Sequence, residues 1–224
     1  MDPVERSALE LRLREDAKDY YQSAVVSFVD GLRSIPAGFC SWATVKFYYS
    51  AFYSLRSRLA LSGECIFYDG TKPRSVSVVP GAVVTALNGT THKCVLARFA
   101  SAFPYDSFLS QEIATCKPLE WLVDRREEVN YKQSRFSEPA YSAYLSYAAK
   151  TDARKMLSAY LSDDVYIHDP DHALVAFPFR LLVDLRRRLN SLGLDPLVQN
   201  EIDFLATQMR DRTGSITALA SLLR

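Results

Sequence analysis

The feature that most constrains this chain is a pair of long apolar stripes at helical spacing near its start. From about Pro3 to Leu32, the residues Leu13, Ala17, Tyr20, Ala24, Phe28 and Leu32 recur at steps of three and four. That period keeps side chains on one face of an α-helix. A second stripe, Trp42, Val45, Tyr49, Phe52, Leu55 and Leu59, marks a helix over Ser41 to Leu61. Pro3 suits a first helical turn, Ile35-Pro36-Ala37-Gly38 ends the first helix, Ser41 reads as the N-cap of the second, and Gly63 reads as its stop.

The pattern then changes. Cys65-Ile66-Phe67-Tyr68, a turn at Asp69-Gly70, and Ser75-Val76-Ser77-Val78-Val79 read as a small β-hairpin near residues 64–80. Pro73 is expected to confine the second strand to an edge or a late start. Asn88-Gly89-Thr90 matches a glycosylation sequon but reads as a turn. Helical spacing returns near 91–102, 106–115, 117–134, 139–162, 171–192, 195–211 and 214–223. Asp169-Pro170 is a helix start, and Pro178 is expected to kink or split the helix that follows. The fold class is therefore mainly α: a helical bundle with a hairpin insertion and a C-terminal helical extension. A division near Ser162–Asp169 gives a bundle over residues 1–163 and an extension over 164–224.

Composition narrows the function classes. Only 8 Gly stand against 13 Tyr and 12 Phe, which points to packed helices rather than a loop-rich scaffold. A net charge of +1 argues against a general nucleic-acid coat, though not against a local basic site. Cys40, Cys65, Cys94 and Cys116 are widely spaced and read as reduced thiols. The charged N-terminus lacks the apolar stretch of a signal peptide, and no run approaches a membrane span. A cytoplasmic protein with no membrane association is expected.

The densest polar cluster is Asp124-Arg125-Arg126-Glu127-Glu128-Val129-Asn130-Tyr131-Lys132, on a helix opened by Pro118. On an ideal helix Arg126 and Asn130 share a face, whereas Arg125 lies about 140° from Asn130. Arg125 can meet Asn130 only through its long side chain or a helix distortion. The plain reading of this run is a solvated face laced by i,i+4 ion pairs.

A second reading comes from resemblance. The stretch Ala43-Thr44-Val45-Lys46-Phe47-Tyr48-Tyr49-Ser50-Ala51-Phe52-Tyr53-Ser54-Leu55-Arg56 resembles the aromatic-rich helix of many prokaryotic members of the HEPN superfamily (higher eukaryotes and prokaryotes nucleotide-binding). Arg125-Arg126-Glu127-Glu128-Val129-Asn130-Tyr131 resembles their later helix, which carries an Arg-x4–6-His signature. The likeness covers about residues 5–150. It implies an antiparallel bundle that forms a homodimer with two motif helices facing one cleft. It also implies a role in prokaryotic antiviral defence or toxin–antitoxin systems. Many relatives are metal-independent endoribonucleases; others bind nucleotide or act as assembly subunits.

This chain departs from that signature, because Arg125-x4 leads to Asn130. Metal-free RNA cleavage needs a group that moves a proton near neutral pH, and Asn has no titratable proton. Asn can orient a phosphate or a ribose hydroxyl, and Arg can hold phosphate bidentately. The resemblance thus assigns Arg125, Asn130 and Tyr131 to a reaction centre and Arg125, Arg126 and Lys132 to RNA phosphate, with no cofactor and no metal. The alternative is a non-catalytic dimeric subunit that binds nucleotide or a partner protein encoded nearby. Glu127, Glu128 or Tyr131 could replace the missing His only if strongly shifted in pKa.

Other polar residues read more plainly. His168 and His172 are four apart, but Asp169-Pro170 intervenes, so capping and surface roles are favoured over a metal site. His92, at a helix start, reads as structural; it becomes catalytic only by folding against the 117–134 helix. Arg186-Arg187-Arg188 reads as a solvated face. Tyr48, Tyr49, Phe52 and Tyr53 read as core or dimer interface rather than a base-stacking platform.

Overall fold

The computed structural model describes residues 2–211 and 213–223. The chain is mainly helical with a small antiparallel sheet. Helix α1, Pro3–Ser34, begins in a capping box: Glu5 N–H donates to Asp2 Oδ1 at 2.8 Å, and Asp2 N–H donates to Glu5 Oε2 at 2.9 Å. Its buried face runs Leu13, Ala17, Tyr21, Ala24, Phe28, each three or four residues after the last. Tyr20, assigned to this stripe from sequence, is half-buried beneath the guanidinium of Arg56; Tyr21 takes the core position.

Helix α2, Cys40–Leu61, is the central element. It buries almost every face, which is why Ser50, Ser54 and Ser57 lie inside it. Two of these three hydroxyls have a partner, and Ser50 Oγ has none among the described residues. Ser54 Oγ donates to the Ser50 carbonyl at 2.9 Å, and Ser57 Oγ donates across to Ala17 of α1 at 2.6 Å. The two helices approach closely at Gly31, where a Cβ would sit 2.9 Å from the Phe47 ring. Ser41 is not the N-cap. Phe39 holds that position, and Ser41 N–H and Oγ donate instead to the Glu138 carboxylate at 2.6 and 2.7 Å. Those bonds hold the Glu138 carboxyl below its usual range even though partial burial opposes this. Gly63, at φ +81°, ends α2 as its sequence position foretold.

Strands β1 (Glu64–Asp69) and β2 (Lys72–Ser77) form the hairpin, and β3 (Thr85–Ala86) adds a short third strand on β2. Pro73 therefore lies in a middle strand rather than an edge strand. Its carbonyl accepts from Leu87 N–H at 2.9 Å, so its donor-less nitrogen faces the end of the β3 ladder, where little pairing is lost.

Helix α3, Thr91–Ala102, follows the Asn88-Gly89 turn with Thr90 as N-cap. The helix expected over 106–115 is replaced by a 3-10 turn at Ser107–Leu109 and a tight turn with positive φ at Ala114 and Thr115. Asp106 explains the change, because its carboxylate caps Phe108 N–H and pairs with buried Arg58 at 2.5 Å. Helix α4, Pro118–Glu127, continues into a π-helical turn over Glu128–Lys132.

The single helix expected over 139–162 is broken into a 3-10 turn (Ala143–Leu145), α5 (Ser146–Lys150) and α6 (Ala153–Ser162). Thr151 is extended, and Asp152 caps the backbone N–H groups of Arg154 and Lys155, which restarts the helix. After a 3-10 turn at Asp164–Ile167, helix α7, Ala173–Ser191, runs unbroken through Pro178. Helix α8 spans Gln199–Gln208, strands β4 (Arg210–Asp211) and β5 (Gly214–Ser215) make a two-residue ladder, and α9 is a short turn at Thr217–Ala220.

One buried apolar cluster runs from Tyr21 to Leu223 and includes residues on both sides of 162–169. Phe28 stacks on Phe179 with ring centres 5.4 Å apart, joining α1 to α7. Burying such a side chain contributes about 1.5–3 kcal/mol. Tyr21 Oη donates to the Leu222 carbonyl at 2.7 Å, tying the C-terminal residues to α1. No helix among the described residues is long and apolar enough to cross a membrane.

Candidate functional site

Helix α4 places its charged residues by continuing an apolar face. Lys117 is extended before Pro118, as the residue preceding a proline must be, so the helix starts sharply. Leu119 and Leu122 are buried, and Arg126 follows one turn later on the same face. Arg126 is thereby drawn into the interface with α2 and is 8% exposed. Its guanidinium carbon lies 4.7 Å from the Tyr48 ring centre and 5.8 Å from that of Tyr131, and Nη2 donates to Glu127 Oε1 at 3.2 Å. Aromatic faces offset part of the cost of burying this cation.

Tyr48 carries the arrangement further. Its hydroxyl lies 2.8 Å from His92 Nδ1, on the first turn of α3. The His92 ring centre lies 4.4 Å from that of Phe52 and 5.7 Å from that of Tyr49. The Thr90 cap and Gly89, at φ +112°, set where this turn begins and so where His92 meets α2. Arg126, Tyr48 and His92 thus come from three helices and form one contact series.

The electrostatics follow from the packing. Burial pushes the His92 pKa below its ordinary value, and the nearby positive charges of Arg126 and Arg56 push it the same way. Burial raises the Tyr48 phenol to about 12, against the opposing pull of Arg126. At neutral pH the series is a cation, a neutral phenol and a neutral imidazole. A neutral imidazole is a proton acceptor.

The other residues singled out from sequence are placed differently. Arg125 stacks between Trp121 and Tyr144, 5.6 and 4.5 Å from their ring centres, and pairs with Glu128 at 3.0 Å. Asn130 is half-buried in the π turn, Tyr131 is exposed, and Lys132 lies 3.7 Å from Asp124. Bonding from i to i+5 turns Asn130 back toward Arg125 relative to an ideal α-helix. The two arginines therefore leave α4 in different directions, Arg125 toward Tyr144 and Arg126 toward Tyr48.

Buried Nε atoms of Arg125 and Arg126 lack a hydrogen-bond partner among the described residues, but so does Nε of Arg186. That feature alone does not distinguish a site. Arg186 is buried and reaches Asp195 at 3.3 Å, whereas Arg187 and Arg188 are exposed, so the basic run is only partly a solvated face. His168 Nε2 lies 3.3 Å from the Ser107 carbonyl, and His172 Nδ1 lies 3.0 Å from Tyr160 Oη. Each histidine has its own neighbours. No group of three or more His, Cys, Asp or Glu among the described residues is arranged to hold a metal ion. The four cysteines are free thiols.

A groove of about 580 Å³ lies between α3 and α4. Leu96, Ala100, Leu119 and Val123 line its floor, and Lys93 and Asp124 stand on its rim. Sequence spacing alone concealed the His92–Tyr48–Arg126 series, because its members are 44 and 34 residues apart along the chain. The one available signal was His92 on a capped first helical turn, exposed enough to reach a neighbouring helix.

Comparison with known protein-family models, curated proteins and solved structures finds no match for the chain.

Proposed function

We propose that the chain is an HEPN-like protein of a prokaryotic defence or toxin–antitoxin system, acting on RNA without a metal ion. One observation carries this reading. The two segments that bear the resemblance, 43–56 and 125–131, meet in the fold through Arg126 stacked on Tyr48. A guanidinium beside a half-exposed imidazole and exposed Tyr131 suits a phosphate with a flanking ribose and base. Arg126 holds the phosphate, Asn130 and Tyr131 position the ribose, and Arg125 and Lys132 add positive charge at the rim. Two copies with these helices across one groove double the site.

The test is binding and cleavage of a fluorescent RNA by purified protein in chelator-containing buffer, with Arg126→Ala as the comparison. Wild type is expected to bind and cut, and Arg126→Ala to bind about 10- to 100-fold more weakly and to lose cleavage. Wild-type protein that leaves the RNA unbound removes the reading.

A second reading is favoured by Arg125, which is already paired with Glu128 and clasped by two rings. In it the chain is a non-catalytic dimeric subunit that binds nucleotide or a partner protein. RNA bound tightly but never cut, together with co-purification of a neighbouring gene's product, is its expected signature.

A further inference from the structure

The 125–131 segment has cation and amide but no histidine. We propose that His92, reaching the site from α3, supplies the proton acceptor through Nε2. The inference rests on the RNA reading above and assigns the proton acceptor that reading lacks.

Geometry makes the assignment. His92 Nδ1 is held by Tyr48, and the same Tyr48 ring carries Arg126 on its face. In the tautomer whose Nδ1–H donates to the Tyr48 oxygen, Nε2 presents its lone pair. Arg126 and His92 are thus held by one tyrosine, the cation on its face and the imidazole at its hydroxyl. The charged and titratable groups around His92 are Tyr48, Tyr49 and Arg56 on α2 and Arg126 on α4, and Glu127 acts on Tyr48. Both arginines disfavour a second positive charge, which keeps the imidazole neutral and able to accept.

The step balances without a co-reactant. Nε2 takes the proton of the ribose 2′-hydroxyl, and the 2′ oxygen bonds to phosphorus. The P–O5′ bond breaks, and the 5′ oxygen takes a proton from water. The hydroxide so formed removes the proton from His92. The products are a 2′,3′-cyclic phosphate and a 5′-hydroxyl. Tyr48 is a positioning residue, since it touches the imidazole and not the reacting atoms.

The experiment follows cleavage of a fluorescent RNA in chelator from pH 5 to pH 8. It uses wild type, His92→Gln, Tyr48→Phe and, as a control, His172→Gln. Affinity for the uncleavable 2′-O-methyl form of the same RNA and thermal melting are measured alongside. His92→Gln is expected to lose about 100-fold or more in rate. Its affinity for the 2′-O-methyl RNA is unchanged, and the acid limb of the pH profile is gone from the residual rate. Tyr48→Phe moves that limb, and His172→Gln cuts as wild type does. If His92→Gln melts before assay, the limb in Tyr48→Phe decides. A wild-type profile in Tyr48→Phe, or undiminished cleavage by folded His92→Gln, overturns the proposal and leaves the RNA reading in place. Wild type that binds the 2′-O-methyl RNA yet cuts nothing overturns it in the same way. Wild type that does not bind RNA at all overturns both.

Discussion

Two imidazoles in this chain meet a buried tyrosine in nearly the same way, His92 with Tyr48 at 2.8 Å and His172 with Tyr160 at 3.0 Å. Their surroundings differ. His172 sits among rings, 4.3 Å from Tyr147 and 4.9 Å from Tyr166, and these join α5 and the 3-10 turn at Asp164–Ile167 to the start of α7. The nearby cation, Arg180, is spent on the carbonyls of Tyr160 and Leu161 at 3.1 and 2.8 Å and on Asp164. His92 also packs on aromatic rings, but the tyrosine it touches carries Arg126 on its face. The bond between Tyr and His is packing in both places. Around His92 a third segment brings a guanidinium onto the face of the tyrosine ring.

The largest expected effect compares the two cations. Arg126→Ala should weaken RNA binding by about 10- to 100-fold, the equivalent of one or two charge-assisted hydrogen bonds, measured by fluorescence polarisation. Arg180→Ala should leave RNA binding untouched and lower unfolding free energy by about 1–3 kcal/mol, measured by denaturant titration, because two carbonyls lose their donor. If Arg180→Ala weakens RNA binding as much as Arg126→Ala does, the two regions are not distinct.

Next come the hydroxyls. Tyr48→Phe and Tyr160→Phe should each cost about 0.5–1.5 kcal/mol in the same titration. Only the first should alter the pH dependence of any RNA cleavage.

Acid should then separate the regions thermodynamically. The folded pKa of His92 lies below its ordinary value, so protonation favours the unfolded chain. The stability from keeping this imidazole neutral is fully present above about pH 6.5 and is lost as pH falls through the folded pKa. Melting temperature should therefore drop between pH 7 and pH 5, and His92→Gln should flatten that drop.

The smallest effect is expected at the rim. Lys132 faces Asp124 at 3.7 Å in solvent, so Lys132→Ala should change stability by no more than about 0.5 kcal/mol. A larger loss in chemical denaturation would mean that the π turn depends on this pair.

Helices whose signal lies within one turn of chain were legible beforehand. The α1 stripe, the Gly63 stop and the Thr90 turn before α3 stand close to where periodicity and turn chemistry put them. Failures occurred where a side chain left its own segment. Ser41 was read as a cap because its backbone position suits one, yet Glu138, distant in sequence, takes its N–H and hydroxyl. A helix is expected over 106–115, yet Asp106 caps only a 3-10 turn at Ser107–Leu109 and pairs with Arg58 of α2. A split of α7 is expected at Pro178, yet the helix continues through it from Ala173 to Ser191.

By itself the sequence determined a mainly helical chain, one small hairpin, and a charged run on a helix opened by Pro118. Hydrophobic period and capping chemistry act over three or four residues, so they can be read along the chain. Tertiary structure alone decided that the Arg126 face of α4 meets Tyr48 of α2, and that His92 meets the same tyrosine. Those choices depend on how helices distant in sequence fill a shared core, and no local period encodes that.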